Sequence, residues 1–266
     1  MDYRRYNFMI KHIGMMCLCL VFSGLNPIQA QVRPKVSVMS FNIHAGYGTD
    51  GTFNLLGIGN QIKEAQPDIV CLQEVDYRTQ RSHGKDVTLE LASITGFHSF
   101  FGKAIFFDGG EYGLAILSKH PICEVKVHTL PNSGNAEPRI ALECIVQVPG
   151  LGKLRVVNVH LDHSNMELNL SQIRYVNKKF ADKRPTIMAG DFNQEMKGKG
   201  MRQLGKDWNF SMDANALTYP TDKPDTKIDY IMAYPLNKWK IKNARVYNDS
   251  RVSDHLPIVA DLLYLE

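Results

Sequence analysis

From residue 36 onward the chain alternates short apolar runs with clusters of Gly, Pro, Asn and Asp. Runs at residues 36–42, 68–74, 113–118, 122–130, 140–148, 154–161, 186–190, 228–233, 238–246 and 258–263 are rich in Val, Ile and Tyr and predict strands. Apolar positions at helical spacing predict helices over 55–65, 87–94, 166–180 and 201–208. Pro67 and Pro185 each fall between a helix and the next strand, where a residue without an amide donor punctuates the chain. No repeat, low-complexity tract or Pro/Ser-rich linker interrupts residues 31–266, which read as one domain of mixed α/β class with more strand than helix.

The first thirty residues follow another pattern: a positive start (Arg4, Arg5, Lys11), an apolar run over 13–25, and the small residue Ala30. That is the layout of a secretory signal. The run falls short of the roughly twenty residues that a membrane span needs. Cleavage near Ala30, with export to the periplasm or the exterior, is expected rather than a permanent anchor. Cys17 and Cys19 lie within the run rather than at the cleavage site, which argues against a lipoprotein. The later cysteines, Cys71, Cys123 and Cys144, are odd in number and permit at most one disulfide. Their apolar neighbours predict buried, inert thiols.

Composition narrows the class without naming a function. With 44% hydrophobic and 22% charged residues over 266 positions, the chain is neither disordered, collagen-like nor a polytopic membrane protein. Part of the formal charge of +4 sits in the first thirty residues, and no block of like charge follows. Nucleic-acid binding therefore cannot be argued from net charge.

The chemistry concentrates where strands end. Six apolar runs deliver Asn42, Glu74, His160, Asp191 with Asn193, Asp229, and Asp254 with His255 to their rims. Singly, each has an ordinary explanation. Glu74 would be a loop carboxylate, His160 a core imidazole, Asp191 and Asn193 the ends of an Asx-turn, and Asp254 with His255 a turn. His44 and His163 read as turn residues and 197–199 as a solvated basic loop. Jointly the pattern favours a site. Hard divalent cations are held by one or two carboxylates plus water and phosphate oxygens, a demand that Glu74 and Asp254 meet, with help from Asp191 and Asn42. Asp229 would orient His255 for acid–base work if their strands are neighbours. No Cys/His cluster, HExxH helix, Walker loop or GxSxG elbow is present, which disfavours structural zinc, zinc peptidases, P-loop enzymes and ordinary serine hydrolases.

In order, the blocks MSFNIHAG from Met39, PDIVCLQEVD from Pro67, EYGLAILSKHPI from Glu111, EPRIAL from Glu137, VNVHLDH from Val157, MAGDFN from Met188, KIDYI from Lys227 and SDHLPI from Ser253 resemble the endonuclease/exonuclease/phosphatase superfamily of metal-dependent phosphoesterases. The resemblance implies a four-layer αββα sandwich, two mixed β-sheets flanked by helices, with a site at one sheet edge. By the same resemblance Glu74 is the principal metal ligand, with Asp254 and Asn42 at or near the ion. Asp191 and Asn193 contact the attacking water and the phosphate. His160 stands beside the scissile phosphate, and His255 is a second catalytic histidine oriented by Asp229. Arg139 meets a phosphate oxygen, whereas Glu111 and Tyr112 align less securely and Asp162 orients neighbours.

The implied reaction is hydrolysis of a phosphate ester by in-line attack of an activated water, with magnesium, or else manganese or calcium, as cofactor. Either His255 or Asp191 takes the proton. The substrate stays open between nucleic acid, a phospholipid such as sphingomyelin, and a sugar or inositol phosphate. The aromatic loops 44–53 and 106–112 and the basic Lys197, Lys199 and Arg202 offer something to each. No obligate protein partner is implied and a monomer is expected. The reading from another class is a binding or adaptor protein that keeps the scaffold without turnover.

Overall fold

The computed structural model describes residues 33–211, 216–247 and 251–265, so the expected signal segment with Cys17, Cys19 and Ala30 lies outside the described residues. The strands are β1 (Lys35–Asn42), β2 (Ile69–Tyr77), β3 (His98–Phe107), β4 (Gly110–Ser118), β5 (Ile122–Thr129), β6 (Ile140–Val148), β7 (Gly152–His160), β8 (Thr186–Asp191), β9 (Asn209–Phe210), β10 (Asp229–Tyr234), β11 (Trp239–Val246) and β12 (Ile258–Tyr264). The α-helices are α1 (Leu55–Ala65), α2 (Val87–Thr95), α3 (Met166–Phe180) and α4 (Lys199–Leu204). Side chains of Asn54, Asp86 and Asn165 accept first-turn amides and start α1, α2 and α3.

Two six-stranded sheets form, in the orders β11-β12-β1-β2-β4-β3 and β5-β6-β7-β8-β10-β9. Each holds one parallel pair, β1–β2 and β7–β8, bridged by α1 and α3 respectively, and the other pairs are antiparallel. Near-continuous apolar runs mark strands covered on both faces, and the packing shows the coverings. Val36, Val38, Ile69, Cys71 and Ile116 meet Leu142, Cys144, Val156, Ile187 and Ile231 between the sheets. The intervening Met39, Phe41, Val70 and Leu72 pack under Ile58, Ile62 and Leu91 of α1 and α2. On the far side Val157, Val159, Met188 and Tyr230 pack under Ile173, Val176, Phe180 and Met201 of α3 and α4. This is the four-layer αββα sandwich.

The structure departs from the sequence reading in four places. Strand β3 was not among the expected strands: HSFFGKAIFF has no clean period, because it is an edge strand whose ladder slips between Lys103 and Ile105. The two-residue β9 was equally invisible. The helix expected over 201–208 runs instead from Lys199 to Leu204, and the buried Trp208 follows after a turn. Cys71 and Cys144 are buried free thiols, but Cys123 lies exposed on the edge strand β5. Among the described residues no helix is long and apolar enough to cross a membrane.

Candidate active site

Strand direction explains why six distant strand ends share one place. Parallel β1 and β2 end at the same edge of their sheet, and so do β7 and β8. β12 runs antiparallel to β1, and β10 antiparallel to β8, so the residues that open or precede them arrive at that edge too. Register adds the fine placement: His160, Asp191 and Asp229 are direct partners across β7, β8 and β10, forming one row. Their side chains continue the inward-facing series of Val156, Ala189 and Ile231, so the layer between the sheets turns from apolar to polar at its last row. Gly190 permits this approach, because a Cβ there would stand 2.0 Å from the Val159 carbonyl oxygen.

Glu74 reaches the site by breaking the alternation. In β2, Val70 and Leu72 face the outer helices, and a strict period would send residue 74 after them. A bulge between Leu72 and Val75 inserts one residue, with Glu74 at φ +55°, and Val75 takes the outward place. The backbone freed there is clasped from the other sheet. Buried Asn158 donates to the carbonyls of Leu72 (2.7 Å) and Ala115 (2.9 Å) and accepts from Gln73 Nε2 (2.7 Å).

Hydrogen bonds then tie the polar row together. Asn42 Nδ2 donates to Glu74 Oε1 (3.0 Å) and Asp191 Oδ2 (3.3 Å), while its Oδ1 accepts the His44 amide. His255 Nδ1 pairs with Asp229 Oδ2 at 3.0 Å, a contact made across the two facing sheets, from the loop before β12 to β10, rather than between neighbouring strands. Asp191 Oδ2 lies 3.6 Å from His160 Nε2 and 3.8 Å from His255 Nε2. Asp191 Oδ1 accepts the Asn193 amide at 2.9 Å, so the Asx-turn and the site coexist. Arg139 Nη1 lies 2.9 Å from His160 Nδ1. A guanidinium only donates, which fixes the His160 proton on Nε2, toward Asp191.

The electrostatics separate the two histidines. Burial, then the charges of Arg139, His255 and His163, hold His160 well below the ordinary imidazole range, and it is neutral. Burial also disfavours the charge on His255, but Asp229, through charge and hydrogen bond, with Asp191 and Asp254 behind it, outweighs that and raises its pKa. Burial and the neighbouring Asp229 push the Asp191 carboxyl up, against the pull of His255 and the Asn193 amide.

Glu74, Arg139, His160, Asp191, Asn193, Asp254 and His255 line one cleft of about 520 Å³. Asn42 and Asp229 stand behind it, with Asn42 turning its amide nitrogen rather than its oxygen toward the carboxylates. Tyr112 lines the cleft, whereas Glu111 pairs with Lys103 (3.0 Å) and Asp162 accepts the Ser164 and Asn165 amides in the turn before α3. His163, expected as a bland turn residue, faces the cleft with its Nδ1 3.5 Å from Arg139 Nη2. The basic loop goes elsewhere: Lys199 and Arg202 line a separate hollow with Lys206 and Asp207. Arg81, Phe107, Glu137 and Tyr219 also line the cleft. The sequence reading did not assign them, because single residues in irregular loops carry no periodic signal.

Five carboxylates, Glu74, Glu137, Asp191, Asp229 and Asp254, converge here; Glu137 is paired with Arg139 (3.0 Å) and Asp229 with His255, the one of the two adjacent histidines that is held charged. Oxygen donors in excess of positive charge fit a hard divalent cation, and Glu74 with Asp254 offers the more open position. A tighter group, Asp191, Asp229 and His255, lies within 4.8 Å of itself. Its His255 is already bonded to Asp229, and the charged imidazole serves as that group's own cation.

Comparison with known proteins agrees with this geometry. YbhP of Escherichia coli K12 is 27% identical over 251 residues, covering 85% of this chain and 95% of its own. An endonuclease/exonuclease/phosphatase from Beutenbergia cavernae superposes with a TM-score of 0.76 at 25% identity, over 88% of this chain and 72% of that one. A mannosyl-6-phosphatase from Bacteroides thetaiotaomicron shares the fold, with a TM-score of 0.72 at 19% identity over 86% and 100%. The model of the Endonuclease/Exonuclease/phosphatase family matches residues 39–255, a span that runs from β1 to His255 through every strand end described above, and the chain belongs to that family.

Proposed function

We propose that this protein is an exported, magnesium-dependent phosphoesterase. One observation carries the reading: a neutral histidine and a charged histidine stand 3.6 and 3.8 Å from one buried aspartate, on the wall of a cleft shared with Glu74 and Asp254. Glu74 and Asp254 would hold the cation, which when bound supplies Lewis-acid stabilisation of a phosphate oxygen. His160 donates from Nε2 to a phosphoryl oxygen and is kept in that tautomer by Arg139. His255 carries its proton and cannot accept another, so Asp191 takes the proton of the attacking water, with Asn193 beside it. His255 returns a proton to the leaving oxygen, held in line by Asp229. Export rests on the N-terminal pattern of the sequence, and a phosphate ester outside the cytoplasm is the matching substrate.

The test is hydrolysis of DNA, RNA, sphingomyelin, sugar phosphates and p-nitrophenyl phosphate esters, each with magnesium and with EDTA. Magnesium-dependent release from at least one class is expected. No turnover on any ester, with or without divalent ions, would refute the reading.

A further inference from the structure

Arg81 is fixed more firmly than a loop arginine with a side chain 36% exposed needs to be. Its Nε and Nη2 donate to the two oxygens of Asp76 at 2.7 and 2.8 Å. Asp76 is fully buried and also accepts from Thr79 Oγ1 at 2.6 Å. The Arg81 amide donates to Asp108 Oδ2 at 2.7 Å, and its carbonyl accepts from the Tyr47 hydroxyl. The guanidinium lies over Phe107, 4.5 Å from the ring centre, and 5.6 Å from that of Tyr112. Three separate segments therefore aim one side chain, and they aim it into the cleft that holds Glu74 and His160.

A buried ion pair is weak evidence for a stabilising device, whereas a guanidinium aimed in advance suits recognition of an anion. With two nitrogens committed to Asp76, Nη1 has no protein partner among the described residues and is the edge presented to a ligand. The reacting phosphate already has Arg139, His160 and His255, which come from the loop before β6, the end of β7 and the loop before β12. Arg81 stands in the loop after β2, on the first sheet, and shares the cleft wall with Tyr112 and Arg139. A cleft of about 520 Å³ has room for much more than one phosphate.

We infer that Arg81, clamped by Asp76, forms a second anion subsite that binds a phosphate group of the substrate other than the one hydrolysed, so that the preferred substrate carries two phosphates. This rests on the phosphoesterase reading. The second phosphate belongs either to a bisphosphorylated small molecule or to the adjacent linkage of a nucleic-acid strand, and the chemistry of recognition is the same.

The experiment compares kcat/KM of wild type and Arg81→Met for fructose 1,6-bisphosphate against fructose 6-phosphate, and for the dinucleotide pTpT against p-nitrophenyl thymidine 5′-phosphate. The variant should lose about tenfold or more on the two-phosphate member of at least one pair, and stay within about threefold on single-phosphate substrates. A selective loss on the sugar alone assigns the small molecule, and on pTpT alone the strand. Equal loss across all substrates, or none on any, overturns the subsite. Because Arg81→Met strands a buried carboxylate, the double variant Asp76→Asn/Arg81→Met is measured beside it and should show the same selective loss in a folded protein.

A second readout does not depend on turnover. In titration calorimetry with magnesium present, wild type should bind alkane bisphosphonates of one to four carbons about tenfold more tightly than methylphosphonate at the best spacing, a preference lost in both variants. Absence of that preference in wild type overturns the subsite. Its presence in a protein that hydrolyses nothing refutes the phosphoesterase reading alone.

Discussion

Asn158→Ala should unfasten the bulge that carries Glu74. The side chain makes three hydrogen bonds of 2.7–2.9 Å between the sheets, two to the carbonyls of Leu72 and Ala115 and one from Gln73. All lie in the fully buried layer beside the bulge. At about 1 kcal/mol net for each buried bond, the loss is about 3 kcal/mol, since the alanine withdraws the Asn158 donor from the Leu72 and Ala115 carbonyls and leaves Gln73 Nε2 only the Cys71 carbonyl. For a domain of this size that lowers Tm by roughly 6–12 °C. Equilibrium urea denaturation gives the free energy, and phosphate release by the folded fraction gives the functional effect. Turnover should fall beyond what unfolding explains, because the Leu72 carbonyl and the Gln73 side chain, which lead into Glu74, lose their hydrogen bonds to Asn158 of the opposite sheet. A destabilisation under about 1 kcal/mol, or full turnover per folded molecule, would refute the clasp.

Other outcomes follow from the same geometry. In wild type the raised His255 pKa means that the stabilising pair with Asp229 is complete below about pH 6.5 and fades only as pH rises through the folded value. Asp229→Asn removes the cause, so an NMR titration of the His255 ring should shift to a lower midpoint, and an unchanged midpoint would contradict the assignment. Gly190→Ala places a methyl 2.0 Å from the Val159 carbonyl and should lower Tm by several degrees; an unaltered melting curve would show that β8 has slack that the structure does not. Thiol reagents should modify Cys123 in the native protein and reach Cys71 and Cys144 only in denaturant, since both are buried and burial raises Cys144 to about 12. Native labelling of either would overturn that burial.

The sequence was legible where one physical rule governs a whole segment. The apolar runs of β1, β6 and β12 are near-continuous because these strands are buried along most of their length, and their polar ends stand out against that background. His160, Asp191 and Asp229 were identifiable as rim residues, but their alignment in one row depends on a parallel register of β7 on β8 that no local pattern encodes. Glu74 was recognised through its block, while the bulge that turns it into the cleft is set by Asn158, eighty-four residues away in the chain. Arg81 left no signal, and His163, although inside the VNVHLDH block, read as a turn residue, because irregular loops obey contacts rather than periods. Edge strands such as β3, covered on fewer sides, lose the alternation by which strands are read.

The most direct test of the central claim is the magnesium-dependent turnover of a phosphate ester by wild type, Glu74→Gln and His160→Ala at matched thermal stability. The account predicts that each variant loses about a hundredfold or more in kcat with Tm nearly unchanged. Turnover within a few-fold of wild type in both would show that the cleft where these residues meet is not where the ester is cleaved.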